Sequence, residues 1–133
     1  CARKLTCVIC KRMMLRIARQ LARANGTNLL VTGDILGEQA SQTLDNLRAY
    51  NDILKDMILI RPLIGFDKLE VMAAVRELGL HEIISEKIDV CQFNPQYPET
   101  HAKPIELENE EGLLNWAALV ENSMKKMEIL EIH

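Results

Sequence analysis

The sequence predicts an α/β fold, a parallel sheet covered by helices. Three observations predict it. Helical patterns alternate with short apolar runs along the chain. The run Leu29-Leu30-Val31 stops at Gly33, crosses a polar loop with a second glycine at Gly37, and meets a helical pattern near Ser41. A strand, a glycine turn and a helix start in that order are where α/β proteins hold anionic ligands, because backbone N–H groups point out of the turn. Finally, 133 residues with 48% hydrophobic content suffice for one domain with a real core.

Taken in order, the first helix is expected from about Cys10 to Ala24, ending near Gly26, a natural C-cap. Leu29 to Thr32 forms the first strand. A second helix is expected from Ser41 to about Leu54. Met57 to Ile60 makes a short buried strand that Arg61-Pro62 closes. Asp67 with Glu70 forms a capping box for a third helix with apolar positions Val71, Val75 and Leu78, and Gly79 stops it. Ile83 and Ile84 suggest another short element. Asp89 to Pro104 reads as irregular, with three prolines. A last helix is expected over roughly Glu108 to Met127. There is no internal repeat and no low-complexity segment.

Charge is unevenly placed. Residues 1–33 hold seven Lys or Arg and no acid, while the whole chain carries a net charge of −3. Arg12, Arg16, Arg19 and Arg23 fall at helical spacing on one face, with Met13, Met14, Ile17, Ala18 and Leu21 expected as the opposing apolar stripe. Like charges at that spacing repel. The stripe therefore calls for negative charge, either an anionic partner such as RNA phosphate or the acidic half of the same chain. No apolar run approaches the roughly 20 residues needed to cross a bilayer, and no signal peptide is evident, so a cytoplasmic protein is expected. The chain begins at Cys1, as expected of a fragment or a processed product.

Cys7 and Cys10 form a C-x-x-C at a helix start, followed by Lys11 and Arg12, a setting that favours thiolate. Cys91 stands alone in the proline-containing loop. Two cysteines supply two ligands, and a metal or cluster needs more; Cys91 is the candidate third. Spacing leaves a chance pair, a redox pair and a metal site all open. His81, His101 and His133 show no ligand spacing and read as surface residues.

The segments Lys11–Ala18, Leu30–Gly33 and Leu36–Leu44, together with Leu59–Lys68, resemble the tRNA 4-thiouridine synthetases (the ThiI family) in order and spacing. The resemblance covers about residues 7–104. It implies a Rossmann-like adenine-nucleotide α-hydrolase fold of the PP-loop kind, with helices on both faces of a parallel sheet. It also implies a reaction: ATP, with Mg2+, adenylates a uridine of tRNA, and sulfur from a cysteine desulfurase or sulfide displaces AMP. Thiamine thiazole sulfur transfer is implied for some members. The family's nucleotide contacts fall on Lys11, Gly33 and Gln42, and its active-site cysteine on Cys91. Members that carry a C-x-x-C like Cys7 and Cys10 resemble iron–sulfur enzymes, which makes Cys7, Cys10 and Cys91 candidate cluster ligands.

The S-G-G-x-D-S phosphate loop of that family does not occur in residues 1–133, nor does its RNA-binding N-terminal domain. The expectation is one domain over 1–133 that forms the C-terminal part of a PP-loop ATP pyrophosphatase domain, inactive by itself. A partial sheet should expose an apolar edge and face, and dimerisation or strand exchange is the expected response. A non-catalytic tRNA-binding module and a metal–sulfur module are the competing readings.

Overall fold

The computed structural model describes residues 2–85 and 91–129. Helix α1 (Thr6–Ala24) is the longest element and starts earlier than expected, after a 3-10 turn at Arg3–Leu5. Both members of the C-x-x-C therefore lie inside the helix. Gly26, at φ +71°, ends it: Gly26 N–H donates to the Arg23 carbonyl and Thr27 N–H to the Ala22 carbonyl. That pair of bonds satisfies carbonyls the helix leaves open, and only glycine adopts the left-handed turn without strain.

Strand β1 (Leu29–Val31) pairs in parallel with β2 (Ile58–Ile60), in the register Leu29 with Ile58, Leu30 with Leu59 and Val31 with Ile60. This two-stranded sheet confirms the α/β class. Leu30 and Leu59 pack against the core beside α1, while Leu29, Val31, Ile58 and Ile60 face outward and are exposed. Among the described residues, helices thus cover one face of the sheet and not the other.

The second helix is not continuous. It is split into a 3-10 turn at Ala40–Gln42, helix α2 (Leu44–Arg48) and a 3-10 turn at Asp52–Leu54. Side chains in the segment bond to non-helical partners, and this breaks it. Thr43 is extended and caps α2 by accepting from Asn46 N–H. The Asn46 amide donates to the carbonyls of Ala40 and Glu99 and accepts from Ala102 N–H. The Tyr50 hydroxyl donates to the Ser41 carbonyl.

Helix α3 (Lys68–Glu77) carries the expected capping box between Asp67 and Glu70, and Gly79, at φ +69°, terminates it. Helix α4 (His81–Ser85) follows. The last expected helix is two: α5 (Pro104–Glu111) and α6 (Trp116–Lys125), with the Asn115 side chain capping the second. Trp116 Nε1 donates to the Glu111 carbonyl across the break.

The core is built from Leu5, Val8, Ile9 and Leu15 of the N-terminal segment, Leu47, Tyr50, Ile53 and Leu54 of the broken segment, and Ala102 and Leu107. The buried face of α1 is therefore the one that contains Arg12, not the expected stripe: Met14 is exposed, and Met13, Ile17, Ala18 and Leu21 are only half-buried.

Candidate functional site

The parallel strands end side by side, and the residues that follow them meet. Gly33 and Asp34 leave β1, and Arg61 leaves β2. Asp34 is 1% exposed and gathers four donors. Lys11 Nζ reaches Oδ1 at 2.7 Å, and Gln42 Nε2 the same oxygen at 3.4 Å. Thr32 Oγ1 donates to Oδ2 at 2.7 Å and Arg61 Nε at 3.3 Å. Burial pushes the Asp34 carboxyl up, but the bonds from Lys11 and Thr32 and the charges of Lys11 and Arg61 outweigh it. The group is held below the usual carboxylate range and stays ionised at neutral pH.

The three residues assigned to nucleotide binding are thus brought to one place. Lys11 and Gln42 share an oxygen of Asp34, and Gly33 precedes Asp34 in the chain. Gly33 is exposed, and a Cβ built on it meets nothing within 4 Å, so its open side faces space that a ligand can enter. Sequence reasoning missed Asp34, Thr32 and Arg61. Their signal was positional: each lies at the carboxyl end of one of two adjacent parallel strands, where open α/β sheets bind ligands.

A cleft of about 660 Å³ adjoins this cluster and is lined by Cys7, Cys10, Lys11, Ser41, Cys91 and Asn94 among others. All three expected cysteines therefore open onto one space, although Cys91 lies more than 80 positions from the pair. Cys7 Sγ lies 3.5 Å from Asn94 Oδ1, its hydrogen-bond acceptor. Burial pushes the Cys7 thiol up, and the nearby sulfurs of Cys91 and Cys10 add to it. The expected thiolate-favouring setting is not found at Cys7. Burial is the leading cause, and both flanking cations are bonded elsewhere, Lys11 to Asp34 and Arg12 to Asp52 and Glu111. Among the described residues, no carboxylate or imidazole lines the cleft, and soft thiols are a donor set that suits iron–sulfur chemistry. Among the described residues, no three potential ligands already stand at metal-binding distance.

Each arginine of the stripe is ion-paired from within. Arg12, 3% exposed, forks onto Glu111 (Nε–Oε1 2.6 Å, Nη2–Oε2 2.9 Å) and onto Asp52 (both bonds 2.7 Å), and also donates to the Ala49 carbonyl. Arg16 forks onto the same Glu111 and lies 4.0 Å from the Trp116 ring centroid. Arg19 and Arg23 both pair with Asp56. Of the two sources of negative charge left open by the sequence, the acidic half of the chain supplies it at these four positions. Arg12 has no surface to offer an RNA. His101 is exposed and pairs with Asp45, and His81 is exposed, as expected. Cys1 and His133 lie outside the described residues.

Comparison with known proteins places this geometry. The family described as thiamine biosynthesis protein (ThiI) matches residues 1–116. A probable tRNA sulfurtransferase of Methanocaldococcus jannaschii is 45% identical over 102 residues, 77% of this chain and 26% of that protein. The probable tRNA sulfurtransferase of Halothermothrix orenii is 38% identical over 99% of this chain and 34% of its own length. The crystal structure of a 4-thiouridine synthetase–RNA complex with bound ATP superposes with a TM-score of 0.86 at 33% identity, covering 95% of this chain and 33% of that one. The chain thus spans between a quarter and a third of these relatives.

Proposed function

The chain belongs to the ThiI family, and from that premise we propose that it is the C-terminal part of the catalytic domain of an ATP-dependent tRNA sulfurtransferase that makes 4-thiouridine. The observation that carries this reading is the junction of two sites through one residue. Lys11 sits in the Asp34 cluster beside Gly33 and Gln42, and also lines the cleft onto which Cys7, Cys10 and Cys91 open. A nucleotide-activated uridine bound at the first site lies next to sulfur chemistry at the second.

Each residue then has a defined task. Lys11 offers charge to a phosphate of ATP bound with Mg2+, Gly33 lets the backbone approach the nucleotide, and the Gln42 amide hydrogen-bonds to it. The uridine O4 attacks the α-phosphorus of ATP and pyrophosphate leaves. Sulfur then adds at C4 and AMP leaves with the oxygen. The S-G-G-x-D-S loop that grips the pyrophosphate belongs, in this reading, to a part of the polypeptide outside residues 1–133, as does the RNA-binding domain. Cys7, Cys10 and Cys91 are the residues that would hold an iron–sulfur cluster, which when bound supplies an iron open to sulfide from a sulfur donor. Without a cluster, Cys91 is the cysteine placed to take the outer sulfur of a cysteine desulfurase persulfide, the desulfurase cysteine leaving as its thiol.

The tRNA-binding module without catalysis draws less support, because each arginine of its stripe is ion-paired within the chain and Arg12 is buried. Among the described residues no helix is long and apolar enough to cross a membrane, which fits a cytoplasmic tRNA-modifying protein. The exposed sheet face of Leu29, Val31, Ile58 and Ile60 fits burial against the rest of the polypeptide or a second copy.

The test uses the full-length polypeptide purified anaerobically, with iron and sulfide assayed on the same sample. Incubated with ATP, Mg2+, unmodified tRNA and sulfide, it should release AMP and pyrophosphate and leave 4-thiouridine detectable by nucleoside mass spectrometry. Cys91→Ser should abolish 4-thiouridine while tRNA is still bound. A full-length protein that binds tRNA but yields neither AMP nor 4-thiouridine would overturn the reading in favour of the binding module.

A further inference from the structure

Two buried polar atoms in the Asp34 cluster have no hydrogen-bond partner among the described residues: Arg61 Nη2 and Gln42 Oε1. Both belong to side chains whose other nitrogen is already fixed on Asp34, Arg61 through Nε and Gln42 through Nε2. A buried guanidinium donor and a buried amide acceptor left open are costly, and native proteins leave few such atoms without a ligand or water. The two atoms have opposite requirements. Arg61 Nη2 wants an anionic oxygen, and Gln42 Oε1 wants an N–H or O–H.

Charge points the same way. The cluster contains two cations, Lys11 and Arg61, and one carboxylate, Asp34, and so carries one surplus positive charge. The Lys11 and Arg61 side chains are each 19% exposed, and Asp34 beneath them is 1% exposed. Two cations this close repel unless an anion sits between them, and Asp34 takes one on each of its oxygens. Asp34 itself is too deep and too fully bonded to meet a ligand. Its two oxygens are occupied by four donors, and the part of the cluster that reaches solvent is the partly exposed Lys11 and Arg61 side chains.

We propose that Arg61 is a second phosphate-contacting residue of the nucleotide site, and that Asp34 is the positioning residue that holds Lys11 and Arg61 together as a pair aimed at one phosphate group. This deepens the nucleotide reading above and rests on it. The ligand class is a nucleotide rather than a bare anion. Arg61 Nη2 and Lys11 meet phosphate oxygens, and Gln42 Oε1 accepts from an amino or hydroxyl group of the same molecule.

The experiment is ATP binding and steady-state thiolation by the full-length protein, comparing wild type with Arg61→Gln, Arg61→Lys and Asp34→Asn, with folding checked by circular dichroism. Arg61→Gln should raise the Kd and KM for ATP by about tenfold or more, with a smaller change in kcat and none in the KM for tRNA. Arg61→Lys keeps the charge and should recover part of the loss. Asp34→Asn keeps the shape and one acceptor oxygen but not the charge, and should weaken ATP binding as Arg61→Gln does.

Asp34→Asn binding ATP as tightly as wild type, or more tightly, would show that the carboxylate competes with the ligand instead of preparing its site, and would overturn the positioning role. Arg61→Gln with unchanged ATP affinity, or with a raised KM for tRNA alone, would overturn the phosphate contact. If Asp34→Asn does not fold, the Arg61 pair decides, because that side chain lies nearer the surface. Wild type that fails to bind ATP would overturn the nucleotide reading and this inference with it. Wild type that binds ATP with all variants unaffected would overturn this inference alone.

Discussion

Helices α1 and α3 show two ways for a segment to become a helix. Helix α3 has nearly every local signal: a reciprocal capping box at its start, a left-handed glycine after its end, and apolar residues at helical spacing. Yet none of its residues is buried; Leu69 is 79% exposed, and Leu78, its C-cap, 71%. Helix α1 has no side-chain cap at its start and a charged residue, Arg12, on its inner face, and it organises the core. Local signals decide where a helix begins and ends; they do not decide whether it is packed. Packing is set by partners far away in sequence, here Asp52 and Glu111 for Arg12.

The contrast can be broken from the α1 side first. Arg12→Met removes the guanidinium that joins α1 to Asp52 and to Glu111, leaving buried Glu111 with Arg16 alone. Breaking a buried pair on one side costs about 3–5 kcal/mol, and chemical denaturation of the purified protein should show a loss of that size. Next, Leu107→Ala on α5, at a residue 2% exposed, should cost about 2–5 kcal/mol by the same measurement. A loss below ~1 kcal/mol at either position would mean that the α1 interface is not the stable unit of the fold.

The same interface should carry the acid sensitivity. Burial pushes the Glu111 carboxyl up, and its bonds to Arg16 and Arg12 more than reverse this, so it is held below the usual carboxylate range. A carboxyl depressed in the folded state binds protons more readily when unfolded. Its contribution is complete well above the unfolded pKa of about 4.3 and is lost as pH falls through the lower folded value. Between pH 7 and pH 3 the Tm of wild type should therefore fall further than that of Glu111→Gln. Equal slopes would assign the acid sensitivity to other carboxylates.

On the α3 side the effects should be small. Asp67→Ala removes the N-cap and should destabilise the helix locally by about 1 kcal/mol. Hydrogen exchange should report this as faster exchange of the first-turn amides of α3, with the α1 amides unchanged. Leu69→Ser, at an exposed position, should change stability by no more than ~0.5 kcal/mol. Repeating the exchange measurement on the full-length polypeptide sharpens the contrast. Slow exchange through α3 there would show that its apolar side chains are covered by another part of the protein.

The same division runs through the candidate site. Lys11, Gly33 and Gln42 were legible because each sits in a local motif whose order and spacing match a family, and the structure does bring them together. Asp34 stands inside the same motif but showed no role of its own, because its partners Lys11 and Arg61 lie 23 and 27 positions away. The clustering of Cys91 with Cys7 and Cys10 came from resemblance, since spacing left a metal site, a redox pair and chance all open. The arginine stripe was visible as a stripe, but whether RNA or the chain itself neutralises it depends on Asp52, Asp56 and Glu111, which no window of helical length contains.

By itself, then, the sequence determined the α/β class, the strand positions, the capping box of α3, the glycine stops after α1 and α3, and the family. These depend on contacts within a few residues or on motifs that keep their order. Tertiary structure alone decided that the second and last helices would break, that Arg12 of α1 would turn inward, and that Lys11 would be shared between the Asp34 cluster and the cysteine cleft. Each of those outcomes is a choice among partners distant in sequence, and burial makes the choice because a buried polar or charged group must find its partner wherever the fold supplies one.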